Sequence, residues 1–97
     1  MKIDVWFTAP LWQHSAPGGW HFVSLPSDLS QEIRFQVTHL EEGWGRLKVT
    51  ATVDGQTWNT SIWYDKKLGT YLLPIKSNIR KALSIKLNDG LSVMITY

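Results

Sequence analysis

The sequence predicts a mainly β domain, a small closed or nearly closed six-stranded β-barrel with two short α-helices. Three observations carry this. Turn-forming residues cut the chain at short intervals, the stretches between them are rich in β-branched and aromatic side chains, and several alternate in polarity with period two. So many strands in 97 residues leave many edges, and closure protects them best.

The first strand is read at Lys2 to Thr8, with Ile3, Val5 and Phe7 on one face and Asp4 and Trp6 on the other. Ala9 to Gly19 holds Pro10, Pro17 and the Gly18-Gly19 pair and reads as a loop. Trp20 to Leu25 is a second strand, stopped by Pro26. A helix follows, N-capped by Ser27, with Leu29 and Ile33 on its buried face and Asp28 and Glu32 at its positive end. Glu41-Glu42 and Gly43-Trp44-Gly45 then lead into the clearest local signal, the Asp54-Gly55 dipeptide between two alternating runs. Asp-Gly there specifies a type I′ hairpin, because both central positions need positive φ. Its register opposes Val53 to Gln56, Ala51 to Trp58, Val49 to Thr60 and Leu47 to Ile62 on an inward apolar face. The outward face pairs Thr50 with Asn59, Lys48 with Ser61 and Arg46 with Trp63, the last a candidate cation–π contact. Asp65 to Gly69 turns the chain into a strand from Thr70 to Ile75. Ser77 caps a short helix with Ile79, Ala82 and Leu83 as its buried stripe, and Asn88-Asp89-Gly90 turns into a closing strand, Leu91 to Tyr97.

A weak internal echo runs through this order. Phe22-Val23-Ser24-Leu25-Pro26 before Ile33-Arg34 resembles Tyr71-Leu72-Leu73-Pro74 before Ile79-Arg80, although the helical parts align only with a two-residue gap and strand-Pro-helix is a common succession.

Composition bounds the function. A chain of this length makes one domain, taken as 1–97, with a single core. Leu, Ile, Val and Phe account for 27 residues, enough to exclude disorder. With no cysteine there is no disulfide framework, thiolate nucleophile or Cys-ligated zinc. The N-terminus has no apolar run and cleavage site of a secretory signal, and no stretch approaches the roughly 20 apolar residues that span a bilayer, so the expectation is a soluble cytoplasmic protein without a membrane partner. The net charge of +2 conceals an asymmetry: residues 1–64 sum to −2 and residues 65–97 to +4. Between Lys66 and Lys86 there are six basic residues and no acid, a segment able to meet an anion or a nucleic-acid backbone, or simply a solvated face.

Catalytic constellations are not found. His14, His21 and His39 lack metal-site spacing, Ser61 sits in no Gly-x-Ser-x-Gly elbow, and Gly43 and Gly45 lack the third glycine of a dinucleotide loop. Neither a cofactor nor a metal is expected, and the protein is read as a non-enzyme. Trp20 and Trp58 are assigned to the core. Trp12, Trp44 and Trp63, with Lys67, Tyr71, Lys76 and Arg80, form the candidate binding surface for a small anionic ligand or a protein partner, and nucleic acid is the second reading.

From about Phe7 onward the chain resembles the bacterial family called domain of unknown function 1905. The resemblance is carried, in order, by Leu11-Trp12, Gly18-Gly19-Trp20-His21-Phe22-Val23, Leu25-Pro26, Ile33-Arg34, Gly43-Trp44-Gly45, Trp58-Asn59-Thr60-Ser61, Asp65-Lys66-Lys67-Leu68-Gly69-Thr70-Tyr71, Leu73-Pro74-Ile75-Lys76, Ile79-Arg80-Lys81-Ala82 and Asp89-Gly90. It implies a small β-barrel with two short helices, occurring alone or ahead of a bacteriocin-protection-type domain, and it implies no activity. The C-terminal part is also similar to the half-barrel of AbrB-like regulators, through Leu73-Pro74, Ile79-Arg80, Leu83, Ile85 and Asp89-Gly90-Leu91-Ser92-Val93. It departs from that pattern in Ser84, where a glycine is usual, and in an Asp-Gly turn instead of Gly-Asp. That likeness is the ground for the nucleic-acid alternative.

Overall fold

Alternation along six strands buries every second side chain in a common interior, and the sheet they form closes on itself. In the computed structural model, which describes residues 2–15, 19–37 and 45–97, the elements are β1 (Asp4–Gln13), β2 (His21–Ser24), α1 (Ser27–Val37), β3 (Arg46–Val53), β4 (Gln56–Asp65), β5 (Thr70–Pro74), α2 (Ser77–Leu83) and β6 (Gly90–Thr96). The strands form a closed antiparallel barrel in the order β1-β2-β5-β4-β3-β6. Leu11, Val23, Ile62, Leu73 and Ile95 fill it, all fully buried.

The β3–β4 hairpin has the register that its Asp-Gly turn dictates, from Val53 opposite Gln56 to Arg46 opposite Trp63. Asp54 and Gly55 take φ of 47° and 81°, the pair of positive values a type I′ turn needs. The first strand is longer than expected, because it runs through Pro10 to Gln13. Leu11 donates its N–H to Asp89 O on the β6 side, so by alternation the nitrogen of Pro10 faces the β2 edge, where pairing starts only at Leu11–Val23. The missing donor falls where no partner waits, and the first five residues of the expected loop, Ala9 to Gln13, become strand.

Ser27 and Ser77 are the first residues of their helices and not the caps. Lys76 holds the cap position of α2 and makes no side-chain cap bond. The stripe expected on α2 is only half-buried at Ile79 and Leu83, Ala82 is exposed, and α2 buries no residue, whereas α1 buries Ser30, Ile33 and Val37.

The internal echo proves to be a two-fold repeat of the unit strand-strand-helix-strand. Exchanging β1 with β4, β2 with β5, α1 with α2 and β3 with β6 carries the barrel order onto itself. The registers follow. Trp12–Phe22 and Gln13–His21 become Trp63–Leu72 and Tyr64–Tyr71, Phe7–Val93 becomes Trp58–Ala51, and the axes pass through the Val23–Leu73 and Thr52–Met94 pairs. Leu29 and Ile33 then correspond to Ile79 and Leu83, so the alignment anchored on the two prolines is corrected: Pro26 matches Lys76, and the two-residue gap vanishes.

Candidate functional site

The even-numbered residues of β1, β2, β3 and β5 and the odd-numbered residues of β4 point away from the packed interior. On that outer wall the registers line up an aromatic band: Trp12 opposes Phe22 and Phe22 opposes Pro74, while one step along β5 Leu72 opposes Trp63, which opposes Arg46. Leu72 and Pro74 are buried on outward-facing positions. Rings gather around them. Trp12 lies 5.3 Å from Phe22, Trp20 6.2 Å from Phe22 in a stacked arrangement and 6.0 Å from Trp63. The Trp12 indole N–H is satisfied internally by Ser24 Oγ at 2.8 Å. Trp20 and Trp63, at 56% and 46% exposure, present their rings to solvent.

Two open concavities, of about 720 and 650 Å³, meet at Trp20, Pro74 and Lys76. The first is bordered by Trp63, Lys2, Arg46 and Lys48, and the second by Gln13, His21 and Arg80. Among the described residues that line them there is no Asp or Glu. Arg80 is held in place by donating from Nη1 to Ile75 O at 2.6 Å, and the Ile75 N–H in turn donates to His21 O at 2.9 Å. Burial, and then the neighbouring Arg80 guanidinium, hold the His21 imidazole below its ordinary pKa, as a locally positive site demands. Tyr97, which also lines the first concavity, packs against the core and donates its hydroxyl to Gln36 Oε1 on α1 at 2.8 Å. Burial and then the Glu32 carboxylate push that phenol's pKa up.

The repeat shows why the opening lies beside α2. On the α1 side Ser30 Oγ accepts the Tyr71 N–H at 3.0 Å, and Gln31 Nε2 donates to Tyr64 Oη and to Gly69 O at 2.8 and 3.1 Å. Arg34 lies over the Tyr64 ring, 4.0 Å from its centroid, so α1 is fastened down. The equivalents of Ser30 and Gln31 are Arg80 and Lys81. The Gly19 carbonyl, equivalent to that of Gly69, is instead met by Gln13 Nε2 from β1 at 3.1 Å. The space that α1 closes with its own side chains is left open beside α2.

Of the residues singled out from sequence, Trp63, Lys76 and Arg80 line the groove, and Trp12 adjoins it through Phe22. Tyr71 does not belong there. Its inward register on β5 buries it completely, edge-on to Tyr64 at 5.4 Å. Lys67 sits in the exposed turn between β4 and β5 and lines neither concavity. Trp44 and His39 lie outside the described residues. The assignment of Trp20 to the core is overturned by its exposure, since it precedes β2 and lies on the outer wall. Trp58 is half-buried and packs against the core as expected. Sequence reading passed over Lys2, Lys48 and His21. Lys48 was legible, because the hairpin register placed it with Arg46 on the outward face. Among the described residues no three potential metal ligands cluster, and no helix is long and apolar enough to cross a membrane.

The family model described as Domain of unknown function (DUF1905) matches residues 7–95, a span that takes in both repeats of the barrel. No curated protein matches the chain.

Proposed function

The chain belongs to the DUF1905 family, whose description carries no activity, and we propose from the groove itself that the protein is a non-enzymatic binding module for anionic ligands that bear a flat ring. One observation carries the reading: the exposed rings of Trp20 and Trp63, 6.0 Å apart, share a groove with Lys2, Lys76 and Arg80 and with no Asp or Glu among its described lining residues. Cations draw an anion in, and the guanidinium of Arg80, its direction set by the Ile75 carbonyl, offers its remaining donors in the fork geometry that fits phosphate or carboxylate. An indole face takes a planar group at little entropic cost. The reading requires a compartment rich in anionic metabolites, and the bacterial cytoplasm is the one we assign.

Tryptophan fluorescence of the intact protein, titrated with ring-bearing anions (adenosine and uridine monophosphate), ringless ones (citrate, inorganic phosphate) and an acidic peptide library, tests this. A saturable change with ring-bearing anions, lost in Lys76→Ala or Arg80→Ala, is expected. A protein partner would be indicated instead by the peptides alone, and no saturable response to any of these probes would remove the proposal.

A further inference from the structure

We propose that the groove is a track for single-stranded nucleic acid, with unpaired bases stacking on Trp20 and Trp63 and consecutive phosphates held by Arg80 and Lys76 on one side of the rings and Lys2 on the other. This rests on the anion-binding reading above and names its ligand. The two concavities join at Trp20, Pro74 and Lys76, so cations lie on both sides of the aromatic junction. A lone anion needs one such cluster. A polyanion with flat rings at intervals uses both, together with the exposed faces between them. Arg46 and Lys48 border the same track, each also engaged in contacts of its own. Duplex DNA hides its base faces within the stack, leaving the Trp20 and Trp63 rings nothing to stack on, so a single strand is the form the surface fits. The overall charge of +2 does not oppose this, because the binding field is set by the groove lining, where the described charged side chains are all positive.

The repeat supplies an independent argument. Ser30 and Gln31 of α1 fill the equivalent space with their own hydrogen bonds, whereas α2 carries Arg80 and Lys81 at those positions and buries nothing. The fold can close this space, and on the α2 side it is open and cationic.

Fluorescence anisotropy decides the matter with a labelled oligothymidylate of roughly ten nucleotides, a length within the usual single-strand footprint. The same sequence as a duplex, thymidine monophosphate and a polyglutamate peptide of equal charge serve as competitors. The single strand is expected to bind at least ~10-fold tighter than the mononucleotide or the duplex, with Trp20→Ala weakening it by ~10-fold or more. The logarithmic salt slope is expected to fall by about 0.7 for each of Lys76→Ala and Arg80→Ala. Lys67→Ala leaves the affinity within about 2-fold, since Lys67 is exposed to screening solvent and lines neither concavity. If the mononucleotide binds and the strand is no tighter, the track falls while the anion-binding reading stands; if neither binds, the track falls, and the anion-binding reading falls with it when its own fluorescence probes also give no saturable response. Equal or tighter binding of duplex or polyglutamate, or indifference to Trp20→Ala, overturns the track.

Discussion

Ser30 and Arg80 occupy equivalent positions in the two repeats, and each side chain donates to the carbonyl oxygen five residues before it: Ser30 Oγ to Leu25 O at 3.5 Å, Arg80 Nη1 to Ile75 O at 2.6 Å. A hydroxymethyl group reaches its carbonyl only if the helix lies close, whereas a guanidinium reaches from farther out. Ser30 is fully buried and Arg80 half-buried. The choice of side chain at this one position goes with a helix that seals the barrel in one repeat and borders a groove in the other.

Ser30 also accepts the buried Tyr71 N–H, so Ser30→Ala leaves that donor without its partner. A loss of about 1–3 kcal/mol is expected. Thermal denaturation should show it as a Tm lower by about 4–8 °C for each kcal/mol.

Gly55 in the hairpin turn and Gly90 at the start of β6 make a matched pair of glycine substitutions. At Gly55, with φ of +81°, an added Cβ meets nothing within 4 Å, so Gly55→Ala carries only the left-handed backbone cost of about 1–2 kcal/mol. At Gly90 the space is equally open and the backbone is not left-handed. Gly90→Ala should therefore be neutral or stabilise by up to about 1 kcal/mol. Chemical denaturation of both variants checks the difference.

Stability and binding should respond oppositely at the wall and in the core. Trp20 is largely exposed, and its two ring pairs are worth about 0.5–1.5 kcal/mol each, so Trp20→Ala should still fold, with a stability loss of about 1–3 kcal/mol, while losing the ligand response altogether. Leu73→Ala empties a fully buried site on the two-fold axis and should cost about 2–5 kcal/mol.

His21 sets a pH dependence. Its pKa in the folded protein lies below the usual 6.5, so the fold favours the neutral ring. That contribution is fully present above pH 6.5 and is lost as the pH falls from there through the depressed folded pKa, because the unfolded chain takes up the proton first. His21→Gln should flatten the decline of stability over that acid window. A bound phosphate offsets the Arg80 charge, so the His21 titration followed by NMR should move to higher pH on saturation with adenosine monophosphate, and an unmoved titration would count against an anion at this end of the groove.

Thr70 Oγ1 is buried and has no hydrogen-bond partner among the described residues. Thr70→Val keeps the β-branched shape a strand prefers and removes that hydroxyl. It should stabilise the protein by up to about 1–3 kcal/mol, the cost of an unsatisfied buried polar group. Urea unfolding measures it.

What could be read from sequence was local. The Asp54-Gly55 turn fixes its own register, and the register places Arg46, Lys48 and Trp63 on the outer wall. The closed six-stranded barrel followed from strand count and edge protection. Pairings between distant residues were not legible: nothing near Pro10 says that its nitrogen will face an edge where pairing has yet to begin, and nothing near Trp20 says that its ring will lie beside Trp63 on β4. Tyr71 misled for the same reason, since only the β4–β5 register and the seat of α1 turn that ring inward. The repeat was visible as an echo and misaligned, because the two prolines are not equivalent while Ser27 and Ser77 are.

The pairing of β1 with β6 along Asp4–Thr96 to Pro10–Gly90, continued by mutual backbone bonds between Ile3 and Tyr97, governs when the protein can fold. During synthesis β1 is made first and its longest ladder partner last. At translation rates of about 5–20 residues per second, the first strand waits on the order of several seconds with that edge bare. The barrel therefore closes only after the C-terminal strand has left the ribosome, and a nascent chain stalled short of β6 offers the β1 and β3 edges to whatever strand or chaperone it meets.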